Sequence, residues 1–309
     1  MAIGKQFKVW QLISLVYATF LAMPAQAADF IAPTPWSTIS SNDLSRLMPQ
    51  DELKPLLAGD TEFLSLYRQH MSAQQRGVVL IIPDWQHLPT NNNGLNFLRT
   101  QLNDLGYATI AMTVPDIDWQ AAPPADESET TEPAAAKQTT SSDNGEPSAD
   151  TATPVVHVDA IAHISNAIID NYKLNLIARF NALYQSALDE DGKIVVIAQG
   201  ASAGVLLEHY GEYPNTNIDA FVSLSSYLPN SKRNQQLNAI ISTISPPLLD
   251  IYYNIDNPDL LLSVADRKRW VKRHSKYDYR QRELFGLRSE PEQHERLTKE
   301  VDGFLRRLF

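Results

Sequence analysis

Residues 193 to 210 read KIVVIAQGASAGVLLEHY, and the way this stretch divides decides the fold. The opening KIVVIAQ is a short, nearly continuous apolar run, as expected of a strand buried on both faces. The closing SAGVLLEHY reads as a helix, so strand passes to helix through a turn of small residues. Within that turn Gly200-Ala201-Ser202-Ala203-Gly204 spells G-x-S-x-G, a spacing that can present a serine as a nucleophile on a sharp strand-to-helix bend.

Working outward, the same alternation recurs. GVVLIIP at 77–83 is another buried strand, followed by GLNFLRTQLNDLG, with Leu95, Leu98, Leu102 and Leu105 on one helical face and Gly106 as the stop. YATIAMTVP is the next strand. Asp159 to Leu188 carries Ile161, Ile164, Ile168, Tyr172 and Leu176 at helical spacing, and IDAFVSLSSYLP and PPLLDIYYN supply two more strands. The repeated β-α-β order predicts an α/β fold, a mostly parallel sheet with helices on both faces. Between its halves, residues 121–153 contain seven acids, one lysine and no large apolar side chain. Such a segment cannot bury enough surface to offset ordering, so it is expected to be a disordered acidic insertion dividing one domain into 28–120 and 154–309.

The N-terminus has a different character. Lys5 and Lys8 precede an apolar run from Val9 to Met23, and Ala25-Gln26-Ala27 forms an A-x-A cleavage pattern, so residues 1–27 read as a cleaved secretory signal peptide. Removing them takes the formal charge from −10 to −12. That charge argues against nucleic acid as a partner, because phosphate binding needs clustered positive charge. With no cysteine there is no disulfide, thiolate metal site or cysteine nucleophile. A periplasmic location is expected.

The segments FLSLYRQHMSAQQRGVVLIIPDWQHLPT, LRTQLNDLGYATIAMTVPD, VVIAQGASAG, PPLLDIYYNIDNP and YRQRELFG occur in the order of an α/β-hydrolase core. The arrangement over roughly residues 60 to 309, apart from the insertion, resembles an uncharacterised, exported bacterial branch of that superfamily, classed as a domain of unknown function. The resemblance implies the fold. Its active members hold a serine at the elbow, an acid after a later strand, a histidine near the end and an oxyanion hole that uses the first loop.

Each position has a candidate in this chain. Asp256, in YYNIDNP, matches the acid, and is equally suited to an Asx turn before Pro258. After the last strand, ELFGLRSEPEQHERL has no histidine in the expected loop. His294 is the nearest, and Pro291 places it in the first turn of a C-terminal helix, where a solvated histidine is the simpler reading. His274, among charged residues, fits less well. In the first loop, PDWQHLPTNNNG lacks the usual glycines, and Asp84, Trp85 and His87 form a polar, aromatic mouth where open α/β sheets bind ligands. Trp85 could line a pocket or close the core edge.

The elbow reads in two registers. If Ser202 is the nucleophile, Gly200 and Gly204 are its small neighbours and Gln199 falls where the buried strand should stay apolar. If the strand is IVVIA, Gln199 takes the polar position before the nucleophile, and Gly200 stands where the serine should be. Glycine reaches that strained conformation at little cost. The second register suits Gln199 better, and Ser202 then becomes a capping or packing residue.

Other chemistry has less support. His157, Asp159 and His163 do not share one helix face, so no metal site is expected. Without a phosphate-cradling G-x-x-x-x-G-K run or a dinucleotide fingerprint, no cofactor is expected. Residues 265–282, ADRKRWVKRHSKYDYRQR, hold eight basic residues against two acids and read as a solvated helix face anchored by Trp270 and Val271, or as an envelope contact. Besides a peripheral envelope-associated role through this basic stretch, two functions stay open. One is an ester or amide hydrolase using Ser202, His294 and Asp256; the other is a catalytically degenerate relative that binds a small molecule or an envelope partner.

Overall fold

A computed structural model describes residues 34–117, 164–214 and 217–309. The leader, the acidic insertion and the H-x-D-x3-H residues therefore lie outside the described residues. Helix α1 (Trp36–Leu47) precedes a hairpin, β1 (Leu53–Ala58) and β2 (Thr61–Arg68). Then come β3 (Gly77–Ile82), α2 (Leu95–Asp104), β4 (Tyr107–Met112) and α3 (Asn166–Ala187). The second half runs β5 (Lys193–Gln199), α4 (Gly200–Glu212), β6 (Ala220–Leu224), α5 (Ser231–Ile241), β7 (Leu248–Tyr253), α6 (Pro258–Arg273), β8 (Tyr279–Leu284) and α7 (Pro291–Leu308).

The eight strands form one sheet in the order β1-β2-β4-β3-β5-β6-β7-β8. From β4 to β8 every pairing is parallel, and only the β1–β2 and β2–β4 pairings are antiparallel. The expected α/β architecture is the one observed. The leading hairpin has no counterpart in the sequence reading, because Pro55 sits inside β1 and a proline ordinarily argues against a strand. Here β1 is the edge strand, so the missing N–H costs no sheet hydrogen bond to an outer neighbour.

The apolar runs of β3 and β5 obey the two-residue period of a strand. Val78, Leu80 and Ile82, with Ile194, Val196 and Ala198, face one core together with Tyr172, Leu176 and Phe180 of α3, Ala203 and Leu207 of α4, and Leu237 of α5. Val79, Ile81, Val195 and Ile197 face the opposite core, where α1, α2 and α7 pack through Leu44, through Leu95, Leu98 and Leu102, and through Leu297, Val301, Phe304 and Leu305. Both faces of the sheet are covered, which is why these strands are continuously apolar rather than alternating.

Basic residues 265–282 do not form a single helix face. They span the end of α6, the turn after it and the start of β8, and Arg267 among them is fully buried.

Candidate functional site

Because β3 and β5 to β8 run in one direction, their carboxyl ends share one edge of the sheet, the usual location of ligands in open α/β folds. Five residues leaving those ends, one per strand, approach one another: Asp84, Gly200, Ser225, Asp256 and Arg288.

Gly200 is the turning residue between β5 and α4, with φ +59°. A side chain at such a φ is strained, and a Cβ here would also fall well inside 3.0 Å of the Asp84 carboxyl atoms. The carboxyl of Asp84 thus lies against the apex of the elbow. Its Oδ1 accepts from the Ala201 N–H at 2.7 Å and from its own neighbour, the Trp85 N–H, at 2.8 Å. These are the N–H of the residue after the apex and an N–H of the first loop, the pair that makes an oxyanion hole on such an elbow. Burial pushes the Asp84 carboxyl above the usual carboxylate range, against the two N–H bonds and the charges of His87 and Arg288.

That shift has a measurable consequence. A carboxyl whose pKa rises on folding binds more protons folded than unfolded, so its contribution to stability falls as pH rises from about 3.9 through the folded pKa. Asp84→Asn keeps an oxygen for both N–H groups and removes the titration. Its melting temperature should match the parent's near pH 4 and exceed it increasingly towards pH 8. A difference that stays constant between those pH values would exclude the raised pKa.

Ser202 lies inside α4, fully buried, and shares a 2.8 Å hydrogen bond with the Tyr172 hydroxyl of α3. Gly204, two residues along, lets α4 approach the Tyr227 carbonyl, where a Cβ would collide. Gln199, the last residue of β5, is buried with its amide oxygen 3.4 Å from Asn91 Nδ2 of the first loop.

Asp256 follows β7, is also buried, and is heavily engaged. Its Oδ2 accepts from Ser225 Oγ at 2.6 Å and from the Tyr253 N–H at 2.8 Å. The bond to the Tyr253 N–H runs back three residues to the end of β7 and is not the Asx turn expected before Pro258. Its Oδ1 forms an ion pair with Arg288. Ser225 holds φ +53°, a strained value for a non-glycine residue. Arg288 also stands over the Tyr253 ring at 5.4 Å from the centroid. Burial pushes the Tyr253 hydroxyl up to about 12.

The three residues expected for a triad are not joined. His294 does sit in the first turn of α7, but it is buried rather than solvated. Its Nε2 lies 2.7 Å from the Arg288 carbonyl oxygen, and its ring packs on Phe97 at 5.6 Å. The charged partner of the Asp256 carboxylate is therefore the cation Arg288, supplied by the loop in which the sequence has no histidine. His274 is remote from these contacts, with Nδ1 2.6 Å from Ser242 Oγ. Trp85 is buried as part of the core cluster that also takes in β3 and α3. His87 is half-buried, with an unpartnered Nδ1. Among the described residues, no group of three or more His, Asp or Glu side chains is placed to hold a metal ion.

Sequence reasoning missed Arg288 as a site residue. The signal was a lone cation in the loop after the last strand, visible only once histidine was no longer the residue sought.

The architecture matches solved α/β-hydrolase structures. Est1E from Butyrivibrio proteoclasticus aligns with a TM-score of 0.54 at 10% identity, over 83% of this chain and 98% of its own. A dienelactone hydrolase from Anabaena variabilis aligns at 0.52 and 12%, over 82% and 96%. An α/β serine hydrolase homologue from Coxiella burnetii aligns at 0.50 and 11%, over 83% and 98%. At these identities the likeness is one of fold. No curated protein matches the sequence significantly. The model of a family described as "Protein of unknown function (DUF3530)" covers residues 14–307, and the chain therefore belongs to that family, on an α/β-hydrolase fold.

Proposed function

We propose that this is a non-hydrolytic member of the α/β-hydrolase fold, whose cleft binds a ligand rather than turning over an ester or amide. One observation carries the reading: the Asp84 carboxyl occupies both oxyanion-type N–H donors and lies against a glycine apex. Acyl transfer needs those donors free to stabilise the developing negative charge, and needs a nucleophile beside a base. A carboxyl held towards its neutral form is a poor nucleophile, and Arg288 cannot serve as a base because a guanidinium stays protonated in proteins.

The mouth of the cleft supports the binding reading. Arg288 keeps 28% of its side chain exposed, and Ile255, Phe285 and Leu287 beside it are more than half exposed. A guanidinium among apolar side chains suits a ligand with an acidic group and an apolar body. With the leader read from residues 1–27, such binding would take place in the periplasm.

The test uses a fluorophosphonate probe on the purified protein and on Ser202→Ala. Neither should label, and the variant should lose only about 1–3 kcal/mol, the cost of leaving the buried Tyr172 hydroxyl without its partner. Stoichiometric labelling of the parent, abolished in Ser202→Ala, would make the protein a serine hydrolase and overturn the reading.

A further inference from the structure

We infer that a second site, between α5 and α6, binds a neutral saccharide. A cavity of about 380 Å³ opens there, and none of the five residues gathered at the elbow is among its lining. That volume falls within the range of about 300–1,000 Å³ typical of small-ligand sites. The chemistry of its wall selects the ligand. Asn234, Gln235 and Asn238 present amides, Asp266 brings a carboxylate, and Trp270 and Leu262 add apolar surface. Among the described residues the lining itself holds no cation, and its carboxylate, Asp266, is paired with Arg269, so the wall offers an anionic ligand no free charge of its own. A sugar ring has what this wall matches: hydroxyls that donate and accept together, and C–H faces that pack on an aromatic ring.

The two inner asparagines are buried and held in a fixed orientation. Asn234 Oδ1 accepts from the Leu228 N–H at 3.0 Å, and Asn238 Oδ1 accepts from Ser263 Oγ at 2.9 Å and from Arg267 Nε at 3.4 Å. Donors on the oxygen side fix which end of each amide is which, and in both residues the NH₂ is the end those bonds leave unused. Arg267 is itself locked by Asp250 and Ser226, so the base of the site is rigid before any ligand arrives. Trp270 is held by Arg273, which stands over one face of the ring at 5.3 Å from its centroid, and by His274 at 5.5 Å. Fixed amide donors beside a fixed indole lower the ordering cost of binding.

The experiment is saturation-transfer difference NMR on the full chain with glucose, N-acetylglucosamine, cellobiose and glucuronate as probes. At least one neutral sugar should show transfer to its ring protons, and glucuronate should show less than glucose. Asn238→Asp keeps an oxygen for Ser263 and Arg267 but removes the amide donor, and Trp270→Leu removes the stacking surface. Each should reduce the transfer at least fivefold, with thermal unfolding confirming that the variant is folded. Gln235→Ala, an exposed change that does not threaten folding, should weaken the signal in the same direction. Absence of transfer from every neutral probe would overturn the proposal. So would transfer that survives all three substitutions, or a stronger signal from glucuronate.

Discussion

Arg267→Met should lower the free energy of unfolding by about 3–5 kcal/mol, the usual cost of breaking a buried ion pair from one side. Both Arg267 and Asp250 have fully buried side chains, with Nη1 3.1 Å from each carboxylate oxygen. The guanidinium also donates to Ser226 Oγ at 3.1 Å and to the Ser226 carbonyl at 2.6 Å. Removing it leaves Asp250 in the interior with only neutral donors, Ser223 Oγ at 3.2 Å, the Tyr279 hydroxyl at 2.9 Å and Gln281 Nε2 at 3.4 Å. Burial, and after it the same carboxylate, raises the Tyr279 pKa. Replacing both partners, as in Arg267→Met with Asp250→Leu, should recover at least half of the loss, because the stranded charge is gone. Urea unfolding midpoints at constant slope measure both effects. A loss below about 1 kcal/mol in the single variant would mean that the pair is effectively solvated, as surface pairs are.

Gly200→Ser should fail to restore a serine nucleophile, and should destabilise the protein by about 2–6 kcal/mol. Two costs combine. A non-glycine residue at φ +59° carries strain of about 1–3 kcal/mol, and the new Cβ would overlap the Asp84 carboxyl, an overpacking penalty of about 1–3 kcal/mol. Asp84→Ala in the same chain removes the second cost and frees the Ala201 and Trp85 N–H groups. The double variant should therefore be more stable than Gly200→Ser, by thermal and urea unfolding. If Gly200→Ser alone is as stable as the parent, Asp84 does not occupy the place of the nucleophile's side chain, and the proposal of a silent elbow loses its main support.

The strands and helices around the site were legible because each is written in its own periodicity. The apolar runs at 77–83 and 193–199 announce strands covered on both faces. The leucines from Leu95 to Leu105 mark a helix by spacing, and Pro291 marks the start of α7. The edge strand β1 was not legible, since its proline is tolerated only because no further strand lies outside it. Within the site, Asp84, Gly200 and Asp256 could be picked out from their places at strand ends, whereas their partners could not.

By itself, then, the sequence determined the order of the strands from β3 to β8 with α2, α3 and α4 among them, the glycine at the turn after KIVVIAQ, and the absence of a histidine in the loop that carries Arg288. Those are local properties, set by spacing along the chain and by what each backbone position tolerates. Only the tertiary structure decided the pairings: Asp84 on the Ala201 N–H across 117 residues, Arg288 on Asp256 across 32, and Arg267 buried on Asp250 although it stands in a run of eight basic residues. The physical reason is that a polar side chain carries no periodic signal naming its partner. The partner is chosen when neighbouring strands bring their carboxyl ends to one edge of the sheet, and burial there makes an unpaired charge too costly to keep.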